Sequence, residues 1–192
     1  MNAGLRNGDL GELSFKHVDF KTGFLDFPRV KNSEERQAFL WPRTIEAIEA
    51  WLPLRPTAAK SEYDELIFLT DTGLPVARAS YNSETSKTSS YDSIPHLFAT
   101  LRTKAGLGSD KVVKQFQWLR NSTKTYGQNS RDTEAVEIVM GHETGSVRRG
   151  YLEKIDGKYL ASPDRLKAVA DAIHLAVFGT KAFYSTLSLR VL

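Results

Sequence analysis

Residues 139–151, VMGHETGSVRRGY, contain the turn on which the reading of the whole chain depends. The run 132–140 reads as a helix stopped by Gly141, since a glycine just past the last apolar turn takes the left-handed conformation that ends a helix without a Cβ penalty. A short helical piece follows over 144–151, which sets His142 at a helix end and the phenol of Tyr151 nine positions later. Taken alone, a Gly-His pair is ordinarily a helix stop with a capping histidine, and a tyrosine after a helical turn is ordinarily a half-buried core aromatic. The meaning of the stretch depends on what surrounds it.

Residues 94–105 and 115–126 read as helices upstream. Downstream, 163–178 is a longer helix with Ser162-Pro163 as cap and first position, Leu166, Val169, Ile173 and Val177 as apolar face, and Gly179 as terminator. Nearer the start, Pro42 opens an amphipathic helix over about 42–53, with Ile45, Ile48, Trp51 and Leu52 at helical spacing. The runs 24–30 (FLDFPRV) and 37–40 flank the polar KNSEER and predict two strands joined by an exposed hairpin with Lys31 at its base. LIFLT at 66–70 is a short buried-strand candidate before the turn DTGLP, and 79–92, rich in Ser, Thr and Asn, reads as an exposed, mobile loop. Residues 6–13 are helix-compatible, with no preceding apolar turn to pack against them. The expectation is an α+β, mainly α domain over 1–179, a small antiparallel sheet and hairpin packed on a helical bundle, followed by an apolar tail at 180–192.

The 192 residues suit one core, with 41% hydrophobic and 26% charged content. Cysteine is absent, which excludes a disulfide framework and thiolate metal sites and fits a cytoplasmic setting. No apolar run approaches a membrane span, and the start has no signal-peptide pattern. The four histidines, His17, His96, His142 and His174, are scattered, so neither a metal nor another cofactor is expected. A formal charge of +3 permits a phosphate partner without requiring one.

Several features occur in the order known from the tyrosine recombinase (phage integrase) family, and the resemblance runs from Gly4 to about Gly179. GLRNGDL (4–10) resembles the GLRxxEL box, which implies that Arg6 is the first catalytic arginine and that Asp9 supports it. FPRVKNSEERQAFLWP resembles the hairpin of the catalytic lysine, matched by Lys31. FQWLRNSTKTYG resembles the HxLRHTFAT box, with Arg120 as the second arginine and Gln117 where histidine is commonest. VMGHETGSVRRGY resembles LGHxxxxTTxxY, which makes His142 a site residue and Tyr151 the nucleophile.

The chemistry explains such a set. Moving a phosphodiester onto a tyrosine passes through a phosphorane-like state with about one extra negative charge, which two fixed guanidiniums, Arg6 and Arg120, favour over the ground state. Lys31 then supplies the proton that the leaving 5′-oxygen needs, without metal. A phenol of pKa about 10 needs hydrogen bonds and nearby positive charge to ionise as it attacks. The resemblance further implies double-stranded DNA as partner and a tetramer on two duplexes reached through the tail. Lys111, Lys114, Lys124, Arg148 and Arg149 are candidates for phosphate contacts, each balanced by the ordinary role of a solvated surface charge.

Each residue alone has a plainer role, an i,i+3 ion pair for Arg6 and Asp9 or a solvated turn for Lys31. Their order and spacing favour the family. Two readings of function stand beside each other: a site-specific DNA strand transferase working through a 3′-phosphotyrosine, and a degenerate integrase remnant that binds DNA without cutting it. The second is motivated by Gln117, which cannot exchange a proton near neutral pH, by Asn121 where a second histidine is frequent, and by the missing amino-terminal domain; Gly150 beside the nucleophile is a further departure that would loosen the site. The family's amino-terminal core-binding domain and first helix have no counterpart in the sequence, so a piece of a longer protein is expected. A small α/β binding domain without a DNA role is the third reading.

Overall fold

The computed structural model describes residues 2–28, 35–83, 86–107, 116–142, 158 and 160–182. Its elements in chain order are α1 (Asn7–Glu12), β1 (Val18–Asp19), β2 (Phe24–Asp26), β3 (Gln37–Phe39), α2 (Pro42–Trp51), β4 (Ala77–Asn82), β5 (Lys87–Asp92), α3 (Ile94–Lys104), α4 (Gln117–Gly127), α5 (Thr133–Met140) and α6 (Pro163–Phe178). The fold is α+β and mainly α, as the sequence predicts.

The front sheet has the order β1-β2-β3, all antiparallel, with Leu25 opposite both Val18 and Ala38 and Phe24 opposite Phe39. Its buried side chains meet α2, α5 and α6 in one core containing Leu25, Ile45, Val136, Leu166, Val169 and Ile173. Trp41, between β3 and α2, fastens the layers: its Nε1 donates to the Ala170 carbonyl of α6 at 2.9 Å, and its ring meets His174 edge-on at 5.0 Å.

The local sequence accounts for the helix ends. Ser162 Oγ accepts from the Arg165 N–H at 3.4 Å, Pro163 occupies the first turn, and Gly179 ends α6 at φ +73°. Asp132 caps α5 by accepting from the Ala135 N–H at 3.0 Å, and the same carboxylate holds Arg165 at 2.6 Å, which joins the starts of α5 and α6. Arg165 also reaches Glu134 at 2.8 Å. Val177, assigned above to the apolar face of α6, is exposed; Ala170 is buried on that face with Leu166, Val169 and Ile173.

The structure corrects two expectations. Residues 66–70 are not a strand. Ile67 and Leu69 are buried, but the backbone forms only isolated bridges, Ser14 to Leu66 and Leu69 to Pro75, because no extended neighbour lies alongside; burial needed no ladder. Residues 79–92 are not a loop, since β4 and β5 pair from Ala77↔Asp92 to Asn82↔Lys87; residues 79–80 and 86–92 are exposed. The ribbon is held by backbone bonds and polar cross-strand pairs, among them Ser80 Oγ to Ser89 Oγ at 2.7 Å and Arg78 stacked 4.2 Å from the Tyr91 ring centre, so it gives no apolar alternation to read. It is rooted on α1, where a Cβ on Gly11 would lie 1.9 Å from the Ala77 carbonyl oxygen and Asn7 donates to Asp92 at 2.7 Å.

Candidate active site

The site begins at a left-handed turn. Gly4 has φ +58°, and a Cβ there would lie 2.7 Å from Met140 Sδ, so the position needs glycine both for conformation and for space. The turn is fixed from behind by buried Asn2, whose amide donates to the Phe39 carbonyl at 3.0 Å and accepts from the Trp41 N–H at 2.6 Å. Arg120, reaching from α4 and only 5% exposed, donates through Nη1 to the Gly4 carbonyl and through Nη2 to the Met140 carbonyl at 2.9 Å. The same Nη2 lies 3.1 Å from His142 Nε2. The GLR and LR boxes, far apart in sequence, thus meet in one hydrogen bond.

Asp9 organises the start of α1. Its carboxylate accepts from the Arg6 N–H at 2.8 Å, which caps the helix, and from Arg36 Nη1 at 2.7 Å. Burial alone pushes its carboxyl pKa up, but the Arg36 hydrogen bond and charge, the Arg6 N–H and the Arg120 charge together bring it below the usual value. Arg36 is fully buried just ahead of β3. Its Nε donates to the Phe27 carbonyl at 3.3 Å, and its Nη2 has no hydrogen-bond partner among the described residues. Its aliphatic stem runs under Gly141, where an added Cβ would stand 3.3 Å away.

Gly141 ends α5 at φ +58° and folds the chain back, so that the His142 N–H returns to the Glu137 carbonyl at 3.0 Å. The imidazole comes back with it, and its Nδ1 lies 2.5 Å from Glu137 Oε2. Glu137 also holds Lys124 Nζ at 3.2 Å. Burial lowers the His142 pKa, Glu137 opposes this, and the Arg120 and Lys124 charges add to the lowering, so the ring holds its second proton less readily than a free imidazole.

Of the residues singled out in the sequence, Arg120, His142, Asp9 and the Arg6 backbone gather around the Gly4 and Gly141 turns. Gln117 is exposed at the first position of α4, one turn before Arg120. Lys124 is exposed on the same helix and paired with Glu137. Lys31, Tyr151, Lys111, Lys114, Arg148, Arg149 and the end of the tail, 183–192, lie outside the described residues. Sequence reasoning missed Arg36 and Glu137. Nothing in the sequence links Arg36 to Asp9, whereas an acid in the last turn before Gly-His is a readable sign of a carboxylate under the imidazole. Among the described residues no group of three metal-ligating side chains assembles, and no helix is long and apolar enough to cross a membrane.

A mainly helical domain with a small antiparallel sheet, in which two arginine boxes and a Gly-His turn converge, defines the tyrosine recombinase class of protein. Residues 1–157 match the phage integrase family, and the chain belongs to it. It is similar to tyrosine recombinase XerC of Salmonella typhi, 31% identical over 173 residues that make up 90% of this chain and 49% of the relative. The chain therefore spans about half the length of that relative. Its fold is similar to the crystal structure of XerA recombinase, with a TM-score of 0.50 at 16% identity, over 80% of this chain and 50% of the other.

Proposed function

We propose that this domain breaks and rejoins double-stranded DNA by moving a phosphodiester onto Tyr151. The Tyr151 oxygen attacks phosphorus, the bond to the 5′-oxygen breaks, and Lys31 gives that oxygen its proton, leaving a 3′-phosphotyrosine that a 5′-hydroxyl later reverses without ATP. Arg6 and Arg120 clamp the non-bridging oxygens, His142 adds a hydrogen bond, and Gln117 offers one where histidine is commoner. Phosphate contacts around the site fall to Lys111, Lys114, Lys124, Arg148 and Arg149. Assembly is a tetramer on two duplexes through the tail, and the compartment is the cytoplasm. The domain divides as residues 1–179 and the tail 180–192.

One observation carries the reading: the Arg120 guanidinium, buried and held by the Gly4 turn two residues before Arg6, stands 3.1 Å from His142. A charge fixed in advance beside an imidazole, under low local dielectric, is what a developing phosphorane requires.

The test is a duplex nicked near its crossover point so that the cleaved strand cannot religate, offered at low salt, where binding to phosphate is strongest. A denaturation-resistant protein–DNA species is expected, absent with Tyr151→Phe and reduced on the order of 10² to 10³-fold in rate with Arg120→Ala. The second reading, a remnant that binds without cutting, is favoured by exposed Gln117, which has no proton to exchange at the start of α4. Retention of duplex with no adduct would establish it.

A further inference from the structure

We infer that Glu137 is a positioning residue that fixes the His142 tautomer and readies the ring to take up one proton when a DNA phosphate engages Arg120. The inference rests on the strand-transfer reading for its kinetic consequence, and on geometry for the tautomer.

A guanidinium only donates, so at 3.1 Å from Arg120 Nη2 the Nε2 of His142 is an acceptor. The ring proton therefore sits on Nδ1 and is donated to Glu137 Oε2 at 2.5 Å. This tautomer orients the ring but cannot donate to a phosphate. As an anionic phosphate takes over the Nη2 hydrogen now given to His142, the guanidinium staying on its two carbonyls, Nε2 loses its donor and takes a proton from a solvent hydronium ion, whose O–H bond breaks to leave water. The resulting imidazolium donates from Nε2 to the phosphate oxygen and from Nδ1 to Glu137. One N–H bond forms, and the charge gained on the ring is met by the carboxylate already in place.

The surroundings make that carboxylate necessary. From α4 the ring faces two cations, Arg120 and Lys124, whose charges disfavour a third. From α5 only Glu137 opposes them. Behind Gly141, Arg36 and Asp9 form an ion pair at 2.7 Å whose charges largely cancel. Glu137 is bound on both oxygens, by Lys124 at 3.2 Å and by the ring, so it is held still for the purpose.

Two substitutions separate charge from shape. Glu137→Gln keeps an oxygen to accept from Nδ1 and so keeps the tautomer, but it removes the charge; Glu137→Leu removes both. Nitrogen-15 NMR of the free chain should show the Nδ1-protonated tautomer in wild type and Glu137→Gln, and a mixture in Glu137→Leu. Adduct formation on the nicked duplex should fall about tenfold in Glu137→Gln at the alkaline end of the profile, one pKa unit of lost imidazolium. That gap should close as the pH is lowered, whereas Glu137→Leu stays slow throughout. An Nε2-protonated ring in the wild-type chain overturns the inference, as does a Glu137→Gln deficit that does not change with pH. If no adduct forms in any chain while the tautomers behave as stated, strand transfer fails and the positioning role of Glu137 stands.

Discussion

The buried pair Arg36–Asp9 gives an asymmetric prediction, because its two partners are supported unequally. Removing one partner of a buried ion pair costs about 3 to 5 kcal/mol, most of it the penalty on the charge left behind. In Arg36→Met the abandoned carboxylate keeps the Arg6 N–H at 2.8 Å, feels the Arg120 charge, and is 11% exposed at its side chain. Met also refills most of the stem beneath Gly141, so this variant falls near about 3 kcal/mol. In Asp9→Asn the guanidinium, with no exposure, loses its counter-charge: a neutral amide oxygen is left to accept from Nη1, the Phe27 carbonyl at 3.3 Å and ring at 4.9 Å remain, and Nη2 has no partner among the described residues. That loss lies near about 5 kcal/mol.

The double variant leaves no buried charge at this pair and should be more stable than the sum of the singles implies, by about 2 kcal/mol or more. Urea titrations followed by Trp emission measure this, since Trp41 is only 4% exposed. A chain brought below folding by Asp9→Asn is titrated in TMAO, which raises all variants together. Equal losses in the two single variants, or strict additivity in the double, would refute the reasoning. Acid supplies a cross-check: the Asp9 pKa is depressed in the folded state, so its stabilisation is complete above about 3.9 and lost as pH falls through its lower folded value, where wild type and Asp9→Asn converge.

Two glycines of α1 should respond in opposite directions to alanine. Gly11→Ala drives a methyl into the Ala77 carbonyl and should cost about 3 kcal/mol in urea unfolding, whereas Gly8, with nothing within 4 Å of an added Cβ, should gain about 0.5 to 1 kcal/mol. Gly141→Ala meets both a positive φ of +58° and the Arg36 stem, so a loss of about 1 to 2 kcal/mol is expected, read from the same titration. His142→Asn should flatten stability against pH. The folded pKa of His142 is depressed, so its contribution is present above the unfolded value of about 6.5 and declines as pH falls through the folded value; His17, also depressed chiefly by burial, leaves a residual slope.

What could be read from the sequence followed from whether the deciding force was local. The ends of α5 and α6 were legible because Gly141, Ser162-Pro163 and Gly179 act on their own neighbours. The β2–β3 pairing was legible because Phe24, Leu25, Ala38 and Phe39 are apolar and flank a polar turn. The β4–β5 ribbon was hidden because Ser80, Ser89 and Thr88 mark loops as often as strands and β5 is exposed along its whole length. Residues 66–70 misled because a short apolar run reports burial, not pairing. Motif order singled out Arg6, Asp9, Arg120 and His142 as candidates, while Arg36 left no sign in the sequence and Glu137 only that of an acid in the last turn before Gly-His. Arg36 reaches Asp9 across 27 positions without periodicity, and Glu137 becomes a partner only when Gly141 folds the ring back over α5.

Cations gathered around one pair of turns repel one another, and the structure meets that cost in two ways. Asp9 and Glu137 each sit against a supporting cation, Arg36 and Lys124, so the carboxylates that orient Arg6 and His142 have much of their charge balanced from behind. Arg120 is oriented by the neutral carbonyls of Gly4 and Met140, which fix its plane without cancelling its charge. Carbonyl dipoles hold a guanidinium at less loss of external field than a carboxylate does, so Arg120 keeps the charge that the proposed phosphate contact would use. The glycines follow from the same requirement: a side chain at Gly4 would strike Met140 Sδ, and one at Gly141 would press on Arg36, so the backbone oxygens and the imidazole approach the guanidinium only because these two turns carry none.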